Sequence, residues 1–205
     1  MGTGTKIALG VVGAIVLIVI IFGATIAGTY NTLVQLDQGA QSQGAQVENV
    51  YQRRADLVPN LVATVKGAAN FEQQTLTAVT EARAKVGQVT SGAIENIARD
   101  PQAFARFQQA QDGLSSALSR LMVVAERYPE LKATQNFRDL QAQLEGTENR
   151  ITVERMRFNE AAQAFNTKRD SFPTVVIAGF FGQRFQEKPY FKAQTGAEKA
   201  PEVKF

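Results

Sequence analysis

The sequence predicts an all-α protein: an N-terminal transmembrane helix followed by an elongated antiparallel bundle of three to four long helices. Three observations predict it. Residues 7–28 form an uncharged, almost wholly apolar run rich in Ile, Val and Leu. From Tyr30 onward, apolar residues recur at three-and-four spacing over long distances, the signature of helices with one buried face. Asp100-Pro101, Tyr128-Pro129 and Phe172-Pro173 mark helix boundaries between those stretches.

The elements follow in order. Residues 1–6 are a short flank. The apolar run of residues 7–28 spans about 30 Å as a helix, the thickness of a bilayer hydrocarbon core. A cleaved signal peptide ending near Ala27 is the competing reading, but the run is long for a signal and its basic flank is thin. Gly10 with Ala14, and Ala24 with Gly28, are small residues four apart, a spacing that lets membrane helices approach closely. Residues 29–172 make the bundle. Its first helix starts at Tyr30 with Leu33, Leu36, Ala40, Val47, Val50, Leu57, Leu61 and Val65 on one stripe, and is expected to reach about Val86. Pro59 removes a backbone hydrogen bond within it, and Gly39, Gly44 and Gly67 weaken it, so packing must hold it together.

Gly87 to Asn96 reads as a connection rich in Gly, Ser and Thr. A second long helix opens at Asp100-Pro101, with Asp as N-cap and proline in the first helical position. It carries Phe104, Phe107, Leu114, Leu118, Leu121 and Val124 on one face and ends near Tyr128. The third runs from about Glu130 through Phe137, Leu140, Leu144, Ile151, Phe158, Ala162 and Phe165 to Phe172-Pro173. Residues 173–192 are an apolar and aromatic segment with Phe180, Phe181, Phe185, Tyr190 and Phe191, expected to dock back on the bundle, to sit at a membrane interface or to cap a neighbour. Residues 193–205 are small, charged and proline-containing, and are expected to be a flexible tail, disordered or ordered only by a partner.

Composition excludes much chemistry. The chain of 205 residues holds no Cys and no His. The commonest metal ligands, the commonest general base and the thiol nucleophile are therefore missing. No cofactor is expected. A net charge of +3, spread along the chain, gives no support to nucleic-acid binding. Glycine-rich phosphate loops, nucleophile elbows and EF-hand loops are absent from the sequence.

The charged residues that stand out are Arg53, Arg54 and Asp56. Heptad extrapolation puts Arg54 on or beside the apolar stripe between Val50 and Leu57, where a guanidinium must find a partner. Arg53 or Arg54 is expected to pair with Glu148 or a neighbouring acid of the third helix. Glu145 and Glu148 share a helical face, and Glu148, Arg150 and Glu154 alternate in sign. These read as register-setting ion pairs or as a partner-binding face, not as catalysts.

One stretch carries a family resemblance. Tyr51-Gln52-Arg53-Arg54-Ala55-Asp56-Leu57-Val58-Pro59-Asn60-Leu61-Val62, then Val65-Lys66-Gly67, Phe71-Glu72 and Val79-Thr80-Glu81-Ala82-Arg83, resembles the bacterial LemA family. The likeness continues through Ala125 to Ala133, Phe137, Leu140, Leu144 to Ile151 and Phe172-Pro173, and covers residues 28 to 192. The chain departs from the family at Gly44, where Trp is frequent, and in reading Lys66-Gly67-Ala68-Ala69-Asn70-Phe71-Glu72, where the family has KGYA and a His before the Glu. The resemblance implies an N-terminally anchored, single-pass membrane protein with a helical-bundle domain and no established biochemical activity. Some members occur beside membrane proteases, which implies an adaptor for a protease or other envelope proteins as one form of the role.

The expected function is a non-enzymatic scaffold at the bacterial inner membrane, acting through protein contacts that include self-association into a homo-oligomer. A membrane-remodelling or lipid-binding envelope protein is the alternative. Lys6 and the α-amino group precede the apolar run, while Asp37 and Glu48 follow it before any cation. That balance places the bundle on the extracytoplasmic side.

Overall fold

Helix α1 (Thr3–Lys66) is the axis of the molecule. In the computed structural model, which describes residues 2–67, 72–93 and 100–192, its 64 residues extend about 95 Å without a break. The large apolar side chains between Ile7 and Phe22 lie exposed along its first part, none of them covered by the other described residues. An 18-residue window there has a mean hydropathy of 2.9, enough in length and composition to cross a membrane. From Leu33 the same helix becomes a bundle member.

Four further α-helices complete the bundle and a fifth follows it. They are α2 (Gln73–Ala93), α3 (Pro101–Ala125), the short α4 (Pro129–Ala133), α5 (Gln135–Asp170) and α6 (Thr174–Phe180), and a 3-10 turn at Gly182–Phe185 comes last. Helices α1 and α5 run antiparallel, as the core shows in three layers. Leu61 and Val65 pack with Phe137 and Leu144, Val47 and Tyr51 with Ile151 and Phe158, and Leu33 with Phe165. Helices α2 and α3 form a second antiparallel pair laid on the first, with Leu76 and Val79 joining Leu118 and Leu121, and Val89 joining Phe104.

Two boundaries differ from the expectations. The first helix does not reach Val86: α1 ends at Lys66, and α2 starts at Gln73 and returns along it. Leu61, Val65, Leu76 and Val79 all enter one cluster, so the apolar spacing continues on both sides of the reversal and conceals it. The connection expected at Gly87 to Asn96 is helical as far as Ala93, and residues 94–99 lie outside the described residues. Gly87 is exposed, with nothing within 4 Å of where a Cβ would stand, and an exposed helical glycine costs only about 1 kcal/mol against alanine.

The other joints are built as local chemistry dictates. Asp100 caps α3, its carboxylate accepting from the Gln102 amide at 2.8 Å, with Pro101 in the first turn. The third long helix is interrupted at Thr134, whose backbone is extended and whose hydroxyl donates to the Leu131 carbonyl at 2.7 Å, dividing α4 from α5. Gly182, with φ of +44°, ends α6 in the left-handed conformation that glycine adopts without strain. Pro59 sits within α1 and the helix continues through it. The tail, residues 193–205, lies outside the described residues.

Candidate functional site

Arg54 is brought inside the bundle by the stripe on which it stands. Tyr51, Ala55, Val58 and Leu61 on the same helix face are buried, and Arg54 is itself only 2% exposed. From α1 its guanidinium reaches two other helices, α3 and α5. Nη1 donates to the Ser115 hydroxyl at 2.6 Å and to Glu148 Oε2 at 2.9 Å, while Nη2 donates to the Gln111 side-chain carbonyl at 2.7 Å and to the Gln111 backbone carbonyl at 3.1 Å. The Tyr51 ring lies under the cation, 5.0 Å from its carbon. Nε finds no acceptor among the described residues. Its rigid planar fork makes these four bonds at fixed angles, one more than the three donors of a lysine ammonium could make.

Glu148 is half exposed, so this pair is buried at one end and wet at the other. Burial pushes the Tyr51 phenol up, against the pull of Arg155 and Arg54, with Glu148 and Asp112 adding to the rise. The arrangement locks the rotation of α1, α3 and α5 against one another. The remaining sequence-selected charges lie outside it: Arg53 and Arg150 are exposed, and the exposed Asp56 accepts from Gln52 Nε2 at 2.8 Å.

Lower on the bundle a second ion pair is buried more completely. Lys188 Nζ meets Asp37 Oδ1 at 2.5 Å, with side chains 1% and 4% exposed, and stands 4.9 Å from the centre of the Phe165 ring. Gln41 Nε2 donates to the other carboxylate oxygen at 2.7 Å. Asp37 falls four residues after Leu33 on the apolar stripe, the same kind of position as Arg54, so a partner could have been demanded of it from the sequence. Lys188 carries no such signal, because it lies in non-helical chain.

Residues 186–192 are laid extended along α5 and held by its side chains. Asn166 Oδ1 accepts from the Lys188 amide at 2.8 Å while its Nδ2 donates to the Lys188 carbonyl at 3.0 Å. Asn159 repeats the arrangement on Phe191, with both distances 2.9 Å. Arg169 Nε donates to the Phe185 carbonyl at 2.7 Å and Arg155 Nη2 to the Lys192 carbonyl. The two asparagines are seven apart, two turns along one face of the helix, and together form a ladder that grips backbone. Sequence reasoning passed over both.

The aromatic segment divides. Phe191 joins Phe104 and Phe158 in the middle layer, and Phe185 joins Phe165 and Leu33 in the lowest. Phe181 and Tyr190 are each 39% exposed and Phe180 is 87% exposed. In the apolar run, Gly10, Ala14, Ala24 and Gly28 are all exposed, and nothing lies within 4 Å of a Cβ placed on either glycine. Glu48 is buried on α1, and that burial raises its carboxyl above the ordinary value.

Comparison with known proteins agrees in one direction. The LemA family model matches residues 43–205. Magnetosome protein MamQ 2 of Paramagnetospirillum magneticum is 30% identical over 207 residues, covering 92% of this chain and 75% of that relative. Magnetosome protein MamQ of Magnetospirillum gryphiswaldense is 28% identical over 192 residues, covering 85% and 71%. Protein LemA of Metamycoplasma hominis is 25% identical over 158 residues, covering 77% and 67%.

Proposed function

The chain belongs to the LemA family, and from that premise we propose that it is a membrane-anchored, non-enzymatic scaffold acting through contacts with copies of itself and with other envelope proteins. The observation that carries this reading is the continuity of α1. One uninterrupted helix joins an exposed apolar stretch of bilayer length to the layers of the bundle core, so the bundle is fixed directly to its anchor. The two buried cations support the non-enzymatic part, because both are engaged in holding helices: Arg54 across α1, α3 and α5, and Lys188 against Asp37. Each is engaged in setting register.

Self-association is proposed to use the small-residue faces at Gly10, Ala14, Ala24 and Gly28, which none of the other described residues covers. The bundle is proposed to stand on the extracytoplasmic side of the inner membrane. The relatives named as magnetosome proteins support a membrane-associated, non-enzymatic role for this chain. Mass photometry of the full chain in lipid nanodiscs tests the proposal, with multiples of the subunit expected and a single subunit overturning self-association. The natural chain has no cysteine, so Ala14→Cys can be oxidised in membranes as a check on the face used. A disulfide-linked pair should form there and not with Val16→Cys, on the opposite side of the helix.

A further inference from the structure

Where the bundle reaches the end of the apolar run, one short helix turns hydrocarbon outward. Phe165 shares a cluster with Leu33, and α5 runs antiparallel to α1, so five residues later Asp170 comes level with about Gly28, the last residue of the run. The chain then enters residues 172–182, eleven positions without a charge. Within them α6 is covered on one side alone. Thr174 and Ala178 are buried, whereas Val176 is 65%, Phe172 84% and Phe180 87% exposed.

The height of this patch is fixed by ring contacts. Tyr30, two residues beyond the apolar run, has the Phe181 ring at 4.9 Å and the Phe185 ring at 5.5 Å, and Phe180 stacks edge-on to Phe181 at 5.7 Å. Lys168 and Arg169 come before the uncharged stretch, with the exposed Asp170 paired to Arg169, and the exposed Arg184 follows it, its guanidinium 5.8 Å from the Tyr30 ring. An apolar, aromatic face at the level where a span leaves the hydrocarbon, flanked by cations, has the composition of an interfacial membrane contact.

We infer that α6 is a second membrane contact, with Phe172, Val176 and Phe180 seated at the headgroup–acyl boundary of the leaflet that α1 leaves, and Lys168 and Arg184 facing lipid phosphates. This contact restrains the tilt and rotation of the bundle on its single span, since a lone helix would leave both free. The inference rests on the reading that residues 7–28 cross the bilayer.

The chain contains no tryptophan, which makes each introduced Trp a unique probe. Full-length Leu17→Trp, Phe180→Trp and Val123→Trp are reconstituted in phosphatidylcholine–phosphatidylglycerol vesicles, with and without lipids brominated near the headgroup end of the acyl chain. Val123 is 68% exposed on α3 near the end of the bundle away from the apolar run, where it serves as the aqueous reference. Phe180→Trp should emit at shorter wavelength than Val123→Trp and be quenched several-fold more by brominated lipid. Leu17→Trp should be sequestered from aqueous acrylamide. If Leu17→Trp is sequestered while Phe180→Trp behaves like Val123→Trp, α6 is not at the membrane and the inference is overturned with the span intact. A shortened emission at position 180 without bromolipid quenching overturns it as well, by showing protein cover instead of lipid. An acrylamide-accessible Leu17→Trp removes the span and the inference together, and leaves the subunit count from mass photometry standing.

Discussion

Arg54 and Glu48 are both buried on α1, about 9 Å of helix apart, and the bundle treats them in opposite ways. Arg54 has four hydrogen bonds and an aromatic ring. Replacing it with Ala strands the Gln111 and Ser115 acceptors and leaves Glu148 without its cation. Glu148 is half exposed and regains water, so the cost lies mainly in the stranded acceptors, about 2–4 kcal/mol or roughly 4–16 °C in melting temperature for a domain of this size. Circular dichroism at 222 nm on the full chain in detergent should show that fall for Arg54→Ala, and Arg54→Lys should recover only part of it. Glu48 is held against the burial that disfavours its charge. Its folded carboxyl titrates above the unfolded value of 4.5, so the folded state binds the extra proton in the window just above that value. Its contribution to stability is then full below 4.5 and is lost as pH rises through the folded value. Glu48→Gln should therefore melt higher than the natural chain at neutral pH, and its melting temperature should change less between pH 4.5 and neutrality.

At the scale of the element, the continuity of α1 through Pro59 has a specific cause. Proline has no N–H to give the carbonyl four residues back, so the Ala55 carbonyl is orphaned. Arg83 on α2 supplies the missing donor, its Nε lying 3.0 Å from the Ala55 oxygen. The gap in one helix thereby becomes the joint to the next. Both residues fall in the stretches that carry the family resemblance, and the geometry gives their co-occurrence a physical reason. A double-mutant cycle checks it. Arg83→Ala should cost about 1–3 kcal/mol in the natural background, the penalty of an unsatisfied buried carbonyl. In Pro59→Ala, where the helix satisfies Ala55 itself, Arg83→Ala should cost about 1 kcal/mol less. Additive effects in thermal melting would show that the two residues do not act on the same carbonyl.

On the scale of the whole molecule, the extended segment 186–192 ties the layers of the bundle to one another. Lys188 closes on Asp37 near the apolar run, and Phe191 fills the middle layer beside Phe104. Both depend on the asparagine ladder for their placement. Asn166→Ala removes the acceptor for the Lys188 amide and the donor to its carbonyl. Losing two buried hydrogen bonds at about 1 kcal/mol each should raise exchange of the Lys188 amide roughly 10- to 100-fold. Hydrogen–deuterium exchange over residues 186–192 reads this directly. Protection unchanged from the natural chain would show that the side chains, and not the ladder, hold the segment.

What the sequence determined by itself was whatever is written locally along it. The apolar run is legible because hydropathy is a property of consecutive residues, and the all-α bundle because a 3.6-residue period marks each buried face. The need of Arg54 for a partner followed from its place on a stripe. The reversal between Lys66 and Gln73 was hidden because two antiparallel helices feeding one core carry the same period. Gln111 and Ser115 beneath Arg54, Arg83 on Ala55, Asn159 on Phe191 and Asn166 on Lys188 were decided by the tertiary structure. Each of these is a polar side chain meeting backbone or another helix far away in the chain, and such contacts depend on which faces meet, an arrangement that no local pattern encodes.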